Sequence, residues 1–359
     1  MTLDAALSGA SVVVCCGSGG VGKTTTAAVI GLEAARAGRR AVVVTIDPAR
    51  RLADALGLAD GLAAEPQRID LAADGELWAM MLDTAAAFDG IVRRNAGDPE
   101  QAERILGNRF YRNISGALSG TQEYMAAETL HQLHGDERFD LVVVDTPPSR
   151  NALDFLEAPS VLARFLDHRL FRLMMLPARR GMKVVNAASQ PILRAVGRVV
   201  GSDVLADAVA FFQAFAGMEG GFRQRAEEVI ALLRSDDTRY VIVASPHRDT
   251  VTEAVWFADK LREQGVSRMA GVANRVHPDF GAGTAAEARD AAEAAGGDLA
   301  ALWRNVADLR ALVEAARDEL APLAARLADA PLVTVPLLAG DVHDLAGLEQ
   351  IRAHVFDAP

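Results

Sequence analysis

The sequence predicts a doubly wound α/β fold, a mostly parallel sheet with helices on both faces and an inserted helical subdomain. Three observations carry that expectation. Short β-branched apolar runs recur between helical stretches, most of them continuous rather than alternating, as strands covered on both faces require. A glycine-rich turn follows the first run and opens a helix, so the turn sits between a strand and a helix N-terminus. The chain of 359 residues is 50% hydrophobic and 24% charged, enough apolar material for a large core.

The first strand is 12–16, VVVCC, followed by a helix from Lys23 to Ala37 that stops at Gly38, a residue that accepts left-handed backbone at a helix end. Further strands are expected at 41–46, 77–82, 141–145, 240–244, 269–274 and 332–335. Thr250 and Glu253 have the spacing of a capping box, ahead of a helix ending at Gly265. From Gly281 to Ala330 the chain is Ala-rich with acidic and basic residues at helical intervals, the pattern of a solvated helical face.

Two stretches exceed an ordinary crossover, about 84–135 and 151–235. The expected division is therefore a first part of the α/β domain at 1–150, with a helical insertion at about 84–135, a helical subdomain at 151–235, and the second part of the α/β domain at 236–359. The second stretch holds Phe155, Phe165, Phe171, Met174, Met175, Met182, Phe211, Phe212, Phe215, Met218 and Phe222. Such side chains build either the core of a helical subdomain or a Met-rich groove for an apolar client segment.

With 48 acidic against 37 basic residues the net charge is -11, which repels phosphate backbones and disfavours nucleic acid as a partner. No apolar run is long enough to span a bilayer and the start lacks a basic leader, so a cytoplasmic location is expected. The two cysteines, Cys15 and Cys16, are adjacent on one strand and point to opposite faces. They form neither a staple nor a zinc site.

The turn itself, GSGGVGKT, comprises Gly17, Ser18, Gly19, Gly20, Val21, Gly22, Lys23 and Thr24. Glycines let backbone N–H groups converge on phosphate oxygens, and the helix N-terminus adds partial positive charge. Lys23 is placed to reach the terminal phosphates of ATP and Thr24 to offer its hydroxyl to Mg²⁺. Thr25 lies either near the α-phosphate or on the helix surface.

Asp47, followed by Pro48 in TIDPAR, ends the second strand, at the edge where open α/β sheets place their sites. It is expected to orient or deprotonate the attacking water, or to hold Mg²⁺ through a water. Asp145 follows three valines and has the position of a carboxylate against the Mg²⁺ shell. The succeeding Thr146, Pro147 and Pro148 lead into the helical stretch, so a phosphate-sensitive segment there is placed to transmit nucleotide state. Asn274 ends a later strand; its amide suits either adenine or a loop cap. Pro336 and Leu337 are candidates for the base face.

Gly17 to Thr25, Asp47 to Ala49, Asp145 to Pro148 and Asn274 together resemble the motifs of the arsenite-pump and tail-anchored-protein targeting ATPases. GSGGVGKTTT, TIDPARRLADAL and DTPPSRNALDFL are most similar to actinobacterial single-loop members described as anion-transporting ATPases. The resemblance spans nearly the whole chain. It implies a nucleotide-gated dimer that closes on ATP with two sites facing each other and moves its helical subdomains as ATP is spent.

Departures from the family pattern sharpen that expectation. Ser18 stands where the family has a lysine that reaches the partner's phosphates, and a neutral hydroxyl cannot replace that charge. A dimer with a paralogous subunit that keeps the lysine is expected; Arg50, Arg51 and Arg150 are either substitutes or surface charges. The zinc cysteines of the eukaryotic branch and the arsenite-binding thiols of the efflux branch are missing. His247 aligns with a glutamate that the targeting branch sets against the partner's nucleotide, or is a plain loop histidine. Three functions compete: an ATPase driving a membrane anion exporter, a chaperone or targeting factor for apolar segments, and a nucleotide-gated scaffold of low turnover.

Overall fold

A computed structural model describes residues 2–47, 50–109, 111–112, 121–147, 218–328 and 330–357, together with Asp207, Ala210, Phe211 and Ala214. The chain divides into two compact units: Met1–Met81 with Asp136–Leu153 and Arg234–Pro359, and Leu82–Gly135 with Asp154–Leu233.

The first unit holds an eight-stranded sheet. Its strands in chain order are β1 (Val12–Gly17), β2 (Arg40–Thr45), β3 (Gln67–Arg68), β4 (Glu76–Met81), β5 (Leu141–Asp145), β6 (Thr238–Ala244), β7 (Met269–Val276) and β8 (Leu332–Pro336). The spatial order is β3-β4-β2-β5-β1-β6-β7-β8, and every pairing is parallel except β3 with β4. The doubly wound expectation holds. Each expected strand is present with its ends within two residues of those expected, whereas β3 was invisible to patterning because it has only two residues, both polar and exposed.

Continuous apolar strands are buried on both faces: Val12, Val13, Val14, Cys15 and Cys16 are all inaccessible, as are Val142 to Val144. One face packs against α2 (Lys23–Arg36), whose Ala27, Ala28, Val29 and Leu32 are buried. The unit also carries α1 (Leu3–Leu7) and α3 (Arg51–Ala55). In register, Thr45 and Cys15 both lie opposite Asp145, and Gly17 lies opposite Val243. The carboxyl ends of β1, β2 and β5 therefore converge on one edge of the sheet.

The second unit contains α4 (Thr84–Asn95), α5 (Pro99–Leu106), α6 (Thr121–His134) and all but the last residue of α7 (Glu219–Arg234). Its core gathers Ile91, Ile105, Tyr111, Met125, Phe211, Met218 and Phe222, and the Tyr111 and Phe211 rings stack with centroids 6.1 Å apart. Phe211, Met218 and Phe222 are thus core side chains. Phe155, Phe165, Phe171, Met174, Met175, Met182, Phe212 and Phe215 lie outside the described residues.

One helix expectation is corrected in the first unit. The helix that follows β6 is α8 (Arg248–Glu263), with His247 as its N-cap residue, so Thr250 is already inside it. The Thr250 hydroxyl donates to the carbonyls of Ser245 at 2.7 Å and His247 at 2.9 Å, and Glu253 turns elsewhere. A genuine capping box joins Thr284 and Glu287 at the start of α9 (Ala285–Ala294). The Ala-rich region continues as α10 (Gly297–Leu327), whose amino half exposes Leu299, Leu302, Leu309 and Leu312. Its carboxyl half buries Val313, Ala316, Leu320, Leu323 and Leu327 along one stripe and keeps Arg317, Asp318, Glu319 and Arg326 exposed on the other, so the charged positions form the expected solvated face while the apolar stripe is core. The last helix is α11 (Leu345–Phe356). Among the described residues no helix is long and apolar enough to cross a membrane.

Candidate nucleotide site

The β1–α2 loop is held from both sides by its neighbours. Gly17 has φ 150° and a Cβ there would stand 2.1 Å from the Val243 carbonyl oxygen of β6, so only glycine lets β1 leave the sheet at that point. Gly22, the N-cap of α2, has φ 98°, and a Cβ would stand 2.2 Å from Asn274 Nδ2. Asn274 Nδ2 donates to the Val21 carbonyl at 2.8 Å and Arg275 Nη1 donates to the Gly20 carbonyl at 3.2 Å. On the other side, the Ser18 hydroxyl donates to Glu253 Oε2 at 2.5 Å.

Lys23 is buried, and its ammonium donates to the Ser18 carbonyl at 2.8 Å. Burial pulls its pKa below the usual lysine value, with the Asp145 carboxylate opposing. The Thr24 hydroxyl donates to Asp145 Oδ2 at 2.7 Å, and the Thr45 hydroxyl donates to the same oxygen at 2.9 Å. Asp145 is 1% exposed. Burial pushes its pKa up to about 6, against the hydrogen bonds from Thr24 and Thr45 and the charge of Lys23. Its other oxygen, Oδ1, is buried and has no hydrogen-bond partner among the described residues.

These donors fit Mg²⁺. An orphaned carboxylate oxygen beside a hydroxyl is a hard oxygen set, and the ion binds through few protein ligands, with phosphate oxygens and waters completing its shell. Among the described residues there is no group of three or more His, Cys, Asp and Glu side chains able to hold a metal. Cys15 and Cys16 are buried thiols whose pKa values burial raises, so neither is a ready thiolate.

Above these groups opens a cavity of about 450 Å³. Of the residues singled out in the sequence, Gly20, Gly22, Lys23, Thr24, Thr25, Asp47, Thr146, Asn274, Pro336 and Leu337 line it. Gly17, Ser18, Gly19 and Val21 belong to the loop but are not among the lining residues, and Asp145 is buried. His247 is exposed at the α8 N-cap, away from the lining, and Pro147 is half-buried and also off it. Pro48 and Pro148 lie outside the described residues, as do Ala49 and Arg150. A larger cavity of about 620 Å³ at the amino ends of β6 to β8 holds none of the motif residues. There, the Arg239 guanidinium donates to the Ala6 carbonyl at 3.1 Å, a structural tie, so chemistry rather than size locates the site.

Three further residues, Thr45, Arg275 and Glu253, enter that motif reading did not place at the site, and Arg51, left open between a substitute charge and a surface charge, joins them. Thr45 was hidden because its role depends on the pairing of β2 with β5. Arg51 lines the cavity and pairs with Asp47 at 3.3 Å, while Arg50 turns away to the Ala59 carbonyl at 2.6 Å. Arg275, at φ 62°, and Glu253 brace the loop from outside. Thr146 fixes the start of the second switch candidate to β1: its amide and its hydroxyl donate to the Cys15 carbonyl at 3.2 and 2.7 Å.

Residues 10–295 match the model of a family described as anion-transporting ATPase. Three relatives are ATPases named GET3. The one from Malassezia globosa is 30% identical over 154 residues, which is 43% of this chain and 44% of that protein. The one from Aspergillus terreus is 31% identical over 156 residues, 42% of this chain and 43% of that protein. The one from Paracoccidioides lutzii is 30% identical over 152 residues, again 42% and 43%. The matched stretch therefore spans less than half the length of each of these relatives. The family model covers most of the chain and includes the loop, Asp47, Asp145 and Asn274, and the chain belongs to the anion-transporting ATPase family.

Proposed function

We propose that this chain binds ATP with Mg²⁺ at the β1–α2 loop and hydrolyses its terminal phosphoanhydride. The observation that carries this reading is the junction of Thr24 and Asp145, 2.7 Å apart with one carboxylate oxygen unused, directly beside a buried lysine in a glycine loop. Loop N–H groups receive the phosphates, and Lys23 exchanges the Ser18 carbonyl for a terminal phosphate oxygen. Thr24 and Asp145 would hold Mg²⁺, which would supply neutralisation of the phosphate charge. Asp47, half-buried at the mouth, orients or deprotonates the attacking water, and Arg51 holds its carboxylate in place. Pro336 and Leu337 offer apolar contact to the base, and Asn274, which lines the same cavity and is bonded to the Val21 carbonyl, offers its amide.

In this reading the protein is a cytoplasmic subunit of a nucleotide-gated dimer in which hydrolysis moves the helical unit. The switch is Asp47 with Pro48 and Asp145 to Pro148, because Thr146 links the end of β5 to the strand that feeds the loop. Ser18 is buried and bonded inward, which supports a paralogous partner as the source of any crossing charge. The family description supports coupling to a membrane anion transporter. The matches to ATPases named GET3, with the motif resemblance to targeting ATPases, support the second reading, a factor that carries apolar client segments. A low-turnover scaffold is the third.

The test is phosphate release by the purified chain with ATP and Mg²⁺, alone and with a lysine-bearing paralogue, together with sedimentation in ADP and in a non-hydrolysable ATP analogue. Stimulation by anions selects the transport reading, and suppression of aggregation of an apolar helix selects the client reading. No turnover under any of these conditions, with nucleotide still bound, selects the scaffold.

A further inference from the structure

Two groups converge on a single loop residue from opposite directions. Lys23 donates to the main-chain oxygen of Ser18 at 2.8 Å, and the Ser18 hydroxyl donates to Glu253 Oε2 at 2.5 Å. Ser18 is 6% exposed and is not among the residues lining the nucleotide cavity, so its side chain belongs to the packing between loop and α8. The acceptor sits on the helix that follows β6, the same strand whose Val243 carbonyl clamps Gly17. Residues 17 and 18 are thus fixed to β6 and α8, while Gly20, Val21 and Gly22 are fixed to Asn274 and Arg275 at the end of β7.

These restraints differ in what a nucleotide does to them. In the ATPase reading Lys23 would turn from the Ser18 carbonyl to a phosphate, which leaves the Ser18 side-chain bond to Glu253 as the tie on the α8 side. Deepening the ATPase reading and resting on it, we propose that Glu253 is a positioning residue for the phosphate loop. Its carboxylate anchors Ser18 so that the loop N–H groups stay convergent after Lys23 has left. Preorganisation of this kind appears as ligand affinity, because an unanchored loop must be ordered at the moment of binding. A hydrogen bond to an ionised acceptor is stronger than a neutral one, and a carboxamide at the same position still offers an oxygen.

The experiment compares Glu253→Ala, Glu253→Gln, Ser18→Ala and the double variant Ser18→Ala/Glu253→Ala in the full chain. In the nucleotide-free protein, amide hydrogen exchange across 18–22 is expected to quicken about tenfold in Glu253→Ala and Ser18→Ala. Exchange in Glu253→Gln stays within about threefold of the parent protein, because the acceptor survives. The affinity for ADP and for a non-hydrolysable ATP analogue falls about tenfold in the two alanine variants, and KM for ATP rises in step while kcat moves less than about threefold. The double variant is no worse than Glu253→Ala alone, since Ser18→Ala removes a bond that Glu253→Ala has already removed. Parent-like exchange and affinity in Glu253→Ala, losses that multiply in the double variant, or Glu253→Gln failing as Glu253→Ala does, would each overturn the proposal. A parent protein that takes up no nucleotide overturns the ATPase reading instead, and the exchange comparison still decides the anchor. Ser18→Ala removes a single oxygen and serves as the mild arm if Glu253→Ala does not fold.

Discussion

Asp145 Oδ2 accepts hydrogen bonds from both Thr24 and Thr45, at 2.7 and 2.9 Å, and so joins the first turn of α2 to the ends of β2 and β5. A buried carboxylate held by two hydroxyls, with its second oxygen unused, is poised for a cation and carries a cost until one arrives. Its pKa, pushed up from 3.8 to about 6 by burial, sets the sign of a pH effect. A carboxyl whose folded value is raised binds its proton more tightly in the folded state, so stability falls as pH rises from about 4 to about 6. Asp145→Asn removes that dependence. The stability difference between parent and variant, from urea midpoints, should decline by about 3 kcal/mol over that window without nucleotide. A difference that is flat with pH would contradict it.

Lys23→Ala should lower turnover about 100-fold or more, the scale of losing one charged donor to a developing phosphate charge. Nucleotide affinity should fall as well, because the ammonium serves the ground state too. The check is phosphate release alongside titration with an ATP analogue. Parent-like turnover would remove Lys23 from the site.

Asp47→Asn should separate chemistry from binding. Its carboxylate lies at the cavity and pairs with Arg51 at 3.3 Å, where it can act on a water. We expect kcat to fall about 100-fold with the analogue's affinity within about threefold of the parent value. An equal loss in both would place Asp47 in nucleotide binding.

Gly22→Ala introduces two separable penalties, a left-handed φ of 98° and a Cβ 2.2 Å from Asn274 Nδ2. The variant should lose about 1–3 kcal/mol of stability and bind nucleotide poorly. Adding Asn274→Ala should recover the steric part alone, visible as a partial return of the thermal midpoint. Full recovery would mean the backbone tolerates alanine there.

The regular parts of this protein were legible because their signals are local. Three valines before Asp145 announce a buried strand, and four glycines between 17 and 22 announce a loop that must approach a ligand. Contacts between residues distant in the chain were not legible. Ser18 and Glu253 are 235 residues apart, and the spacing of Glu253 from Thr250 imitates a capping box that the helix, starting earlier, does not use. Thr45 gains its role only through strand register, and Arg51 looks like its neighbour Arg50 until α3 turns one toward the cavity and the other to Ala59. The β3 edge strand is two polar residues, below any periodic signal.

The most direct measurement is calorimetric titration of the chain with ATP in the presence and absence of Mg²⁺. The account expects saturable binding that tightens with Mg²⁺, weakens in Asp145→Asn and is lost or nearly lost in Lys23→Ala. Absence of any ATP uptake by the folded parent protein, with Mg²⁺ supplied, would contradict it.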